Sequence, residues 1–209
     1  IKTNKGYRGD PAKAGYEYLL AYKITVPIYD YIVEFCNRWI NKYSRTHDQM
    51  VQAGRSGTMN ISEGYKQQGL KGYIKLAGVS EGSIDELLKD YKAYARQNKI
   101  SIWDKQRCRR DIRKLREIWD ILKKNKTLPD HPDFPDLPHN KEKTVNMMIT
   151  LCSQANYLIG KLILSLLKKH NLEMRSLYVN TLLHDPAKAE KSIETVLAIA
   201  QRASKTGTR

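Results

Sequence analysis

His47 beside Asp48 and His184 beside Asp185 are the side chains best typed for direct chemistry, because adjacent histidine and aspartate supply ligands of a metal phosphohydrolase. Such a site needs further His and Asp ligands on other helices. The remaining histidines, His131, His139 and His170, lie in a proline-rich stretch or at a helix end. Asp130, His131, Asp133, Asp136 and His139 are hard and borderline ligands in number, but prolines run between them and no rigid scaffold holds them. Ser56 has neither a nearby base nor a strained elbow, and the GRSG at 54–57 falls inside a helical pattern rather than after a strand, so it is no phosphate-cradling loop. Cys36, Cys108 and Cys152 are odd in number, far apart and without CxxC spacing, which argues against zinc and against a disulfide framework. Each sits in a helical pattern as a small buried hydrophobe. These residues predict no catalysis, no metal and no cofactor.

Charge points elsewhere. Among 209 residues, 37 Lys and Arg against 22 Asp and Glu leave a net +15, a surplus that repels itself in a compact monomer and is usually kept for a polyanion. Nucleic acid is the commoner such partner and an anionic membrane the rarer. Lys105, Arg109, Arg113 and Arg116 recur at four-four-three spacing on one face of a predicted helix, with Arg107, Arg110 and Lys114 beside them. A one-sided arginine stripe can track phosphates, each contact releasing counterions. The alternative is a solvated face paired with Asp111, Glu117 and Asp120. Arg55, Lys66, Lys71, Lys75, Lys89, Lys92 and Arg96 form a second basic set. For Arg55 an ion pair with Glu63, Glu81 or Asp85 is an equal alternative. Tyr65, Tyr73, Tyr91 and Tyr94 could stack on unpaired bases, although most stand at core spacing.

The elements that must position these groups are helices; no stretch alternates as a strand does, and no internal repeat stands out. The spacing predicts helices over 24–43, 46–64 and 71–98, then a separate helix capped by Asp104 with a seam of Cys108, Ile112, Leu115, Trp119 and Leu122, and a further helix over 143–170. Pro27 is placed to open or kink the first. Thr46 with Gln49 gives the second a capping box. The segment 127–140 carries four of the seven prolines and is expected to be a linker. A short apolar segment over 174–183 and a moderately helical, basic-ended tail over 186–204 follow. The longest apolar run, 158–167, is interrupted by Lys161 and too short to span a bilayer; with no signal peptide visible, the default location is the cytoplasm. Gly54, Gly57, Gly78 and Gly82 stand inside helical patterns, where each costs about 1 kcal/mol relative to alanine. Close helix packing is the natural offset.

The run QMVQAGRSGTMNISEG at 49–64, followed by YIKLAGVSEGSIDEL at 73–87, resembles the four-helix bundle proteins encoded by intervening sequences of bacterial 23S ribosomal RNA. Their pattern is an arginine-bearing helix ending in Asn-Ile-Ala-Glu-Gly and then a helix with a Gly-Ser and Glu-Leu signature. SRTHDQMVQAGRSG, DELLKDY and SQANYL are similar to the longer branch called four helix bundle suffix proteins. The resemblance covers most of residues 7–171.

What the resemblance implies is an all-α, up-down four-helix bundle, with a basic helix inserted between the third and fourth bundle helices and a helical C-terminal tail. The chain then divides into an N-terminal extension at 1–23, three bundle helices at 24–98, the inserted helix and proline linker at 99–142, the fourth bundle helix at 143–171 and a suffix at 172–209. The inserted helix is expected to be an arm. The same bundle serves the accessory variability determinant of diversity-generating retroelements, a strongly basic homopentamer that binds a reverse transcriptase and nucleic acid. The resemblance therefore implies a non-enzymatic, oligomeric nucleic-acid-binding accessory protein, with RNA ahead of DNA, a homopentamer, a reverse transcriptase as partner and no membrane. It also gives Arg55 an interface or channel-facing role. The alternative is a structural oligomeric adaptor whose charge contacts an acidic protein.

Overall fold

The computed structural model describes residues 13–184, with side chains to residue 174, and among these every regular element is helical. A 3-10 turn, Gly15–Tyr18, leads into α1 (Leu20–Lys23) and α2 (Thr25–Trp39), with Ile24 between them. Pro27 is the third residue of α2, where its missing N–H is one the helix could not have paired. Then come α3 (Arg45–Tyr65), α4 (Leu70–Gln97), α5 (Lys105–Asp111), α6 (Arg113–Lys124) and α7 (Lys141–His184). One compact unit ends at Ser165; a second starts at Leu166, and its described part is the end of α7.

Helices α2, α3 and α4 lie antiparallel in turn, as pairs of residues running in opposite order along each interface require. The Thr58 hydroxyl donates to the Thr25 carbonyl at 3.1 Å near one end of α2 and α3, and Gly54 meets Ile32 further along. Between α3 and α4, Gly57 lies against Ile84 and Gly64 against Tyr73. A Cβ built on Gly54 would stand 2.7 Å from Ile32 Cγ2, one on Gly57 2.8 Å from Ile84 Cγ1, and one on Gly64 2.6 Å from the Tyr73 ring. Close packing thus offsets the helix cost at Gly54 and Gly57, and at Gly64, the last residue of the predicted 46–64 helix. Gly78 and Gly82 correct the expectation: both are exposed, with nothing within 4 Å of an added Cβ.

One helix start differs from expectation for a capping reason, and one helix end meets expectation by an unusual cap. The N-cap of α3 is Ser44, whose hydroxyl accepts from the His47 N–H at 3.3 Å, so Thr46 lies within the first turn instead. Helix α4 ends where predicted, but through Lys99 at φ 55°. Its N–H donates to the Arg96 carbonyl and the Ile100 N–H to the Ala95 carbonyl, the paired bonds of a Schellman cap with lysine in glycine's usual place.

The largest correction concerns the inserted segment. Cys108, Ile112, Leu115, Ile118 and Leu122 belong to the same buried cluster as Phe35, Leu87, Tyr91 and Cys152, so α5 and α6 lie on the core and form no projecting arm. Ile118, not Trp119, completes the seam; Trp119 is half-buried and donates its indole N–H to Gln154 Oε1 at 2.8 Å. The proline segment is a strap. Leu128 and Leu137 are buried, the Tyr31 hydroxyl donates to the Pro135 carbonyl at 2.6 Å, and the Thr144 hydroxyl donates to that of Pro138 at 2.7 Å. Lys23, 4% exposed, donates from Nζ to the carbonyls of Leu122 and Asn125 at 2.7 and 2.9 Å, satisfying acceptors at the C-terminal end of α6. Asn146, 1% exposed, joins α7 to the connection between α4 and α5: it accepts the Trp103 N–H at 2.7 Å and donates to the Ser101 carbonyl at 2.9 Å.

Helix α7 unites two segments expected to be separate, the predicted helix over 143–170 and the apolar piece at 174–183. Its stretch Lys141–Met174 is long and apolar enough to cross a bilayer by length and composition, correcting the shorter run considered above. Val145, Met147, Met148, Leu151 and Cys152 on it are nonetheless buried in the core, the pattern of a central helix. The basic-ended tail, 186–204, lies outside the described residues, as does the first part of the N-terminal extension.

Candidate nucleic-acid interface

The expected stripe on the inserted helix is broken at Ile112. There ψ is 81°, so α5 and α6 are separate helices, and Lys105 and Arg109 do not share a helical face with Arg113 and Arg116. The periodicity survived the break because Ile112 is itself buried. Asp104 does cap α5 as predicted, its carboxylate accepting the Arg107 N–H at 2.8 Å.

Much of the charge on α5 and α6 is already engaged. Arg110 meets Asp111 at 2.7 Å, Arg113 meets Glu117 at 2.8 Å, and Arg107 lies 3.5 Å from Asp111 with its guanidinium 4.0 Å over the Trp103 ring. Hydrogen bonding from Arg110 holds the Asp111 carboxyl below the usual carboxylate range. Lys114 donates to the Asp136 carbonyl on the strap. Lys105, Arg109 and Arg116 are exposed and make no ion pair among the described residues. Of the two alternatives, the solvated, internally paired face describes Arg107, Arg110 and Arg113.

The second basic set is freer. Lys66, Lys71, Lys75, Lys92 and Arg96 are exposed, and among the described residues none is ion-paired and Lys89 alone of the set meets a carboxylate, Asp85 at 2.7 Å. At about 100° per residue Lys71, Lys75, Lys89, Lys92 and Arg96 fall within one third of the α4 circumference. The opposite side buries Tyr73, Ala77, Ser80, Ile84, Leu87 and Tyr91. Arg55 is exposed on α3, and the ion pair with Glu63, Glu81 or Asp85 does not form. One level away, Ser56, Ser83 and Asn60 hydrogen-bond among themselves, with Ser56 and Ser83 hydroxyls 2.8 Å apart.

Base stacking is poorly served by the named tyrosines. Tyr91 is fully buried and Tyr73 is 7% exposed, while Tyr94 packs edge-on against Phe35 at 5.1 Å. Tyr65 is 46% exposed, but its ring lies against Tyr16 and Tyr73. Burial pushes the Tyr73 phenol up to about 12 and also raises those of Tyr31 and Tyr91. Because these native-state values exceed the unfolded value near 10, the folded state retains protons that the unfolded state loses, and stability falls as pH rises above about 10. A phenolate absorbance titration should therefore show the exposed tyrosines ionising first, with Tyr31, Tyr73 and Tyr91 ionising only with cooperative unfolding; a single smooth transition near pH 10 in folded protein would contradict their burial.

The other chemistry-bearing groups do not converge. His47 Nδ1 lies 3.4 Å from Asp48 and its Nε2 3.3 Å from Asn37 Oδ1, and Asp130 meets Lys13 at 2.7 Å. Among the described residues no three His, Cys, Asp or Glu side chains come together. The side chain of His184, and all of Asp185, lie outside the described residues. Comparison with family models, with curated proteins and with solved structures finds no match to this chain.

Proposed function

We propose that this chain is a non-enzymatic, basic accessory protein that binds nucleic acid, RNA ahead of DNA, chiefly through the solvent face of α4. The observation that carries this reading is the set of exposed cations on α4, four of which, Lys71, Lys75, Lys92 and Arg96, have no carboxylate partner among the described residues of a chain of net charge +15. Unpaired cations are the ones able to release counterions from a phosphate backbone. Helices α2, α3, α4 and α7 are the four members of an up-down bundle, with α5 and α6 inserted before the last; the antiparallel order of the first three supports it. The homopentamer, the reverse transcriptase partner and the setting of a diversity-generating retroelement rest on the resemblance of the 49–64 and 73–87 runs.

Anisotropy of a labelled RNA tests the reading. Affinity falls steeply with salt if phosphates are bound, with a slope of several in log-log form. Flat affinity, or no binding at low salt, overturns it and leaves the structural adaptor for an acidic protein, which the exposed Val79, Tyr157 and Leu164 favour.

A further inference from the structure

The free cations of α4 are not spread evenly along it. Lys71 and Lys75 stand near its start, with Lys66 just before, and Lys92 and Arg96 stand near its end. Between them the same face carries Gly78 and Gly82, which have no side chain and open space around them, then the Asp85 and Lys89 ion pair and the exposed Glu86. The centre of the face thus offers a phosphate no unpaired cation, and Glu86 repels one.

At about 1.5 Å of rise per residue, Lys75 and Lys92 are about 26 Å apart and Lys71 and Arg96 about 38 Å apart. These distances bracket a helical turn of duplex, about 34 Å in B-DNA. We infer that the two cationic ends of α4 grip phosphates about one helical turn apart on a double-stranded nucleic acid lying along the helix, with Gly78 and Gly82 leaving the surface between them clear of side chains. This rests on the nucleic-acid reading above and selects the strandedness of the partner.

A single strand fits the face less well for two physical reasons. An extended strand would lay phosphates over the central acidic stretch as well as the ends. Single-strand binding also relies on exposed aromatic platforms on which bases stack, and the α4 tyrosines are turned into the core or packed against Phe35. Duplex recognition by shape needs only phosphate and sugar contacts across successive grooves.

The test measures affinity of the full chain at low salt for three probes: duplex RNA of about 8 base pairs, duplex RNA of about 20 base pairs, and a single strand of about 20 nucleotides, the longer duplex exceeding the roughly 16 base pairs that two-groove contact spans. The longer duplex is expected to bind about tenfold or more tighter than either other probe. Lys71→Gln with Lys75→Gln, and separately Lys92→Gln with Arg96→Gln, should each abolish that length advantage while thermal unfolding is unchanged, since all four side chains are exposed. Equal affinity for the short and long duplexes, or preference for the single strand, overturns the duplex inference while the nucleic-acid reading stands. Failure to bind any of the three overturns both.

Discussion

Gly57→Leu is expected to lower the thermal unfolding midpoint by about 2 to 12 °C, whereas Gly78→Ala and Gly82→Ala are each expected to raise it by about 2 to 4 °C. The opposite signs follow from the surroundings of chemically identical residues in adjacent helices. A Cβ on Gly57 runs into Ile84, and the atoms beyond it would separate α3 from α4 where the Ser80 hydroxyl donates to the Gly57 carbonyl. Overpacking of this kind costs about 1 to 3 kcal/mol, and loss of the buried hydrogen bond adds about 1 kcal/mol, against a helix-propensity gain of about 1 kcal/mol. At Gly78 and Gly82 nothing opposes the propensity gain, because the added methyl enters open space. Calorimetry of the three variants decides it. A wild-type midpoint for Gly57→Leu would show that α3 and α4 are not in close contact there, and a drop for Gly78→Ala would show that another molecule covers the α4 face.

Charge-matched variants give the second large effect. Lys75→Gln with Lys92→Gln should reduce the salt slope of RNA binding by about 2 and weaken affinity on the order of fiftyfold at about 0.1 M salt, since each lost phosphate contact removes nearly one counterion. Arg110→Gln with Arg113→Gln removes the same formal charge from arginines already held by Asp111 and Glu117. That variant should leave the slope within about 0.5 of wild type. Equal losses in both would mean that overall charge, and not the α4 face, governs binding. Because all four side chains are exposed, stability changes should stay within about 0.5 kcal/mol.

The contrast between the two basic sets also marks what the sequence made legible. Helix positions were readable because long runs such as Tyr73 to Ala95 repeat every three or four residues with a single buried face. The end of α4 near Asn98 and the Asp104 cap were equally readable, since both follow local rules. Spacing could not reveal the break at Ile112, because a buried residue at a bend satisfies the same pattern as one inside a helix. Nor could composition separate Gly57 from Gly78: both are glycines in helical runs, and only the neighbouring helix tells them apart.

Tertiary partners likewise decided which charges are free. Arg107 and Arg113 have carboxylates four residues on, Asp111 and Glu117, so their pairing is foreseeable, whereas Arg110 meets its sequence neighbour Asp111. The burial of Lys23 was not, because a lysine that caps another helix through Leu122 and Asn125 has partners about a hundred residues away. Composition alone predicts a linker where the proline strap lies. Tyr31 and Thr144, each donating to one of its carbonyls, hold it in place.

The central claim, that the exterior of α4 meets a polyanion while α5 and α6 serve the fold, is tested most directly by lysine acetylation footprinting with and without duplex RNA. Lys71, Lys75 and Lys92 should be strongly protected by the RNA, and Lys105 and Lys123 should react as in the free protein. Protection confined to Lys105 and Lys123, or no protection at the three α4 lysines under conditions where RNA is bound, would contradict it.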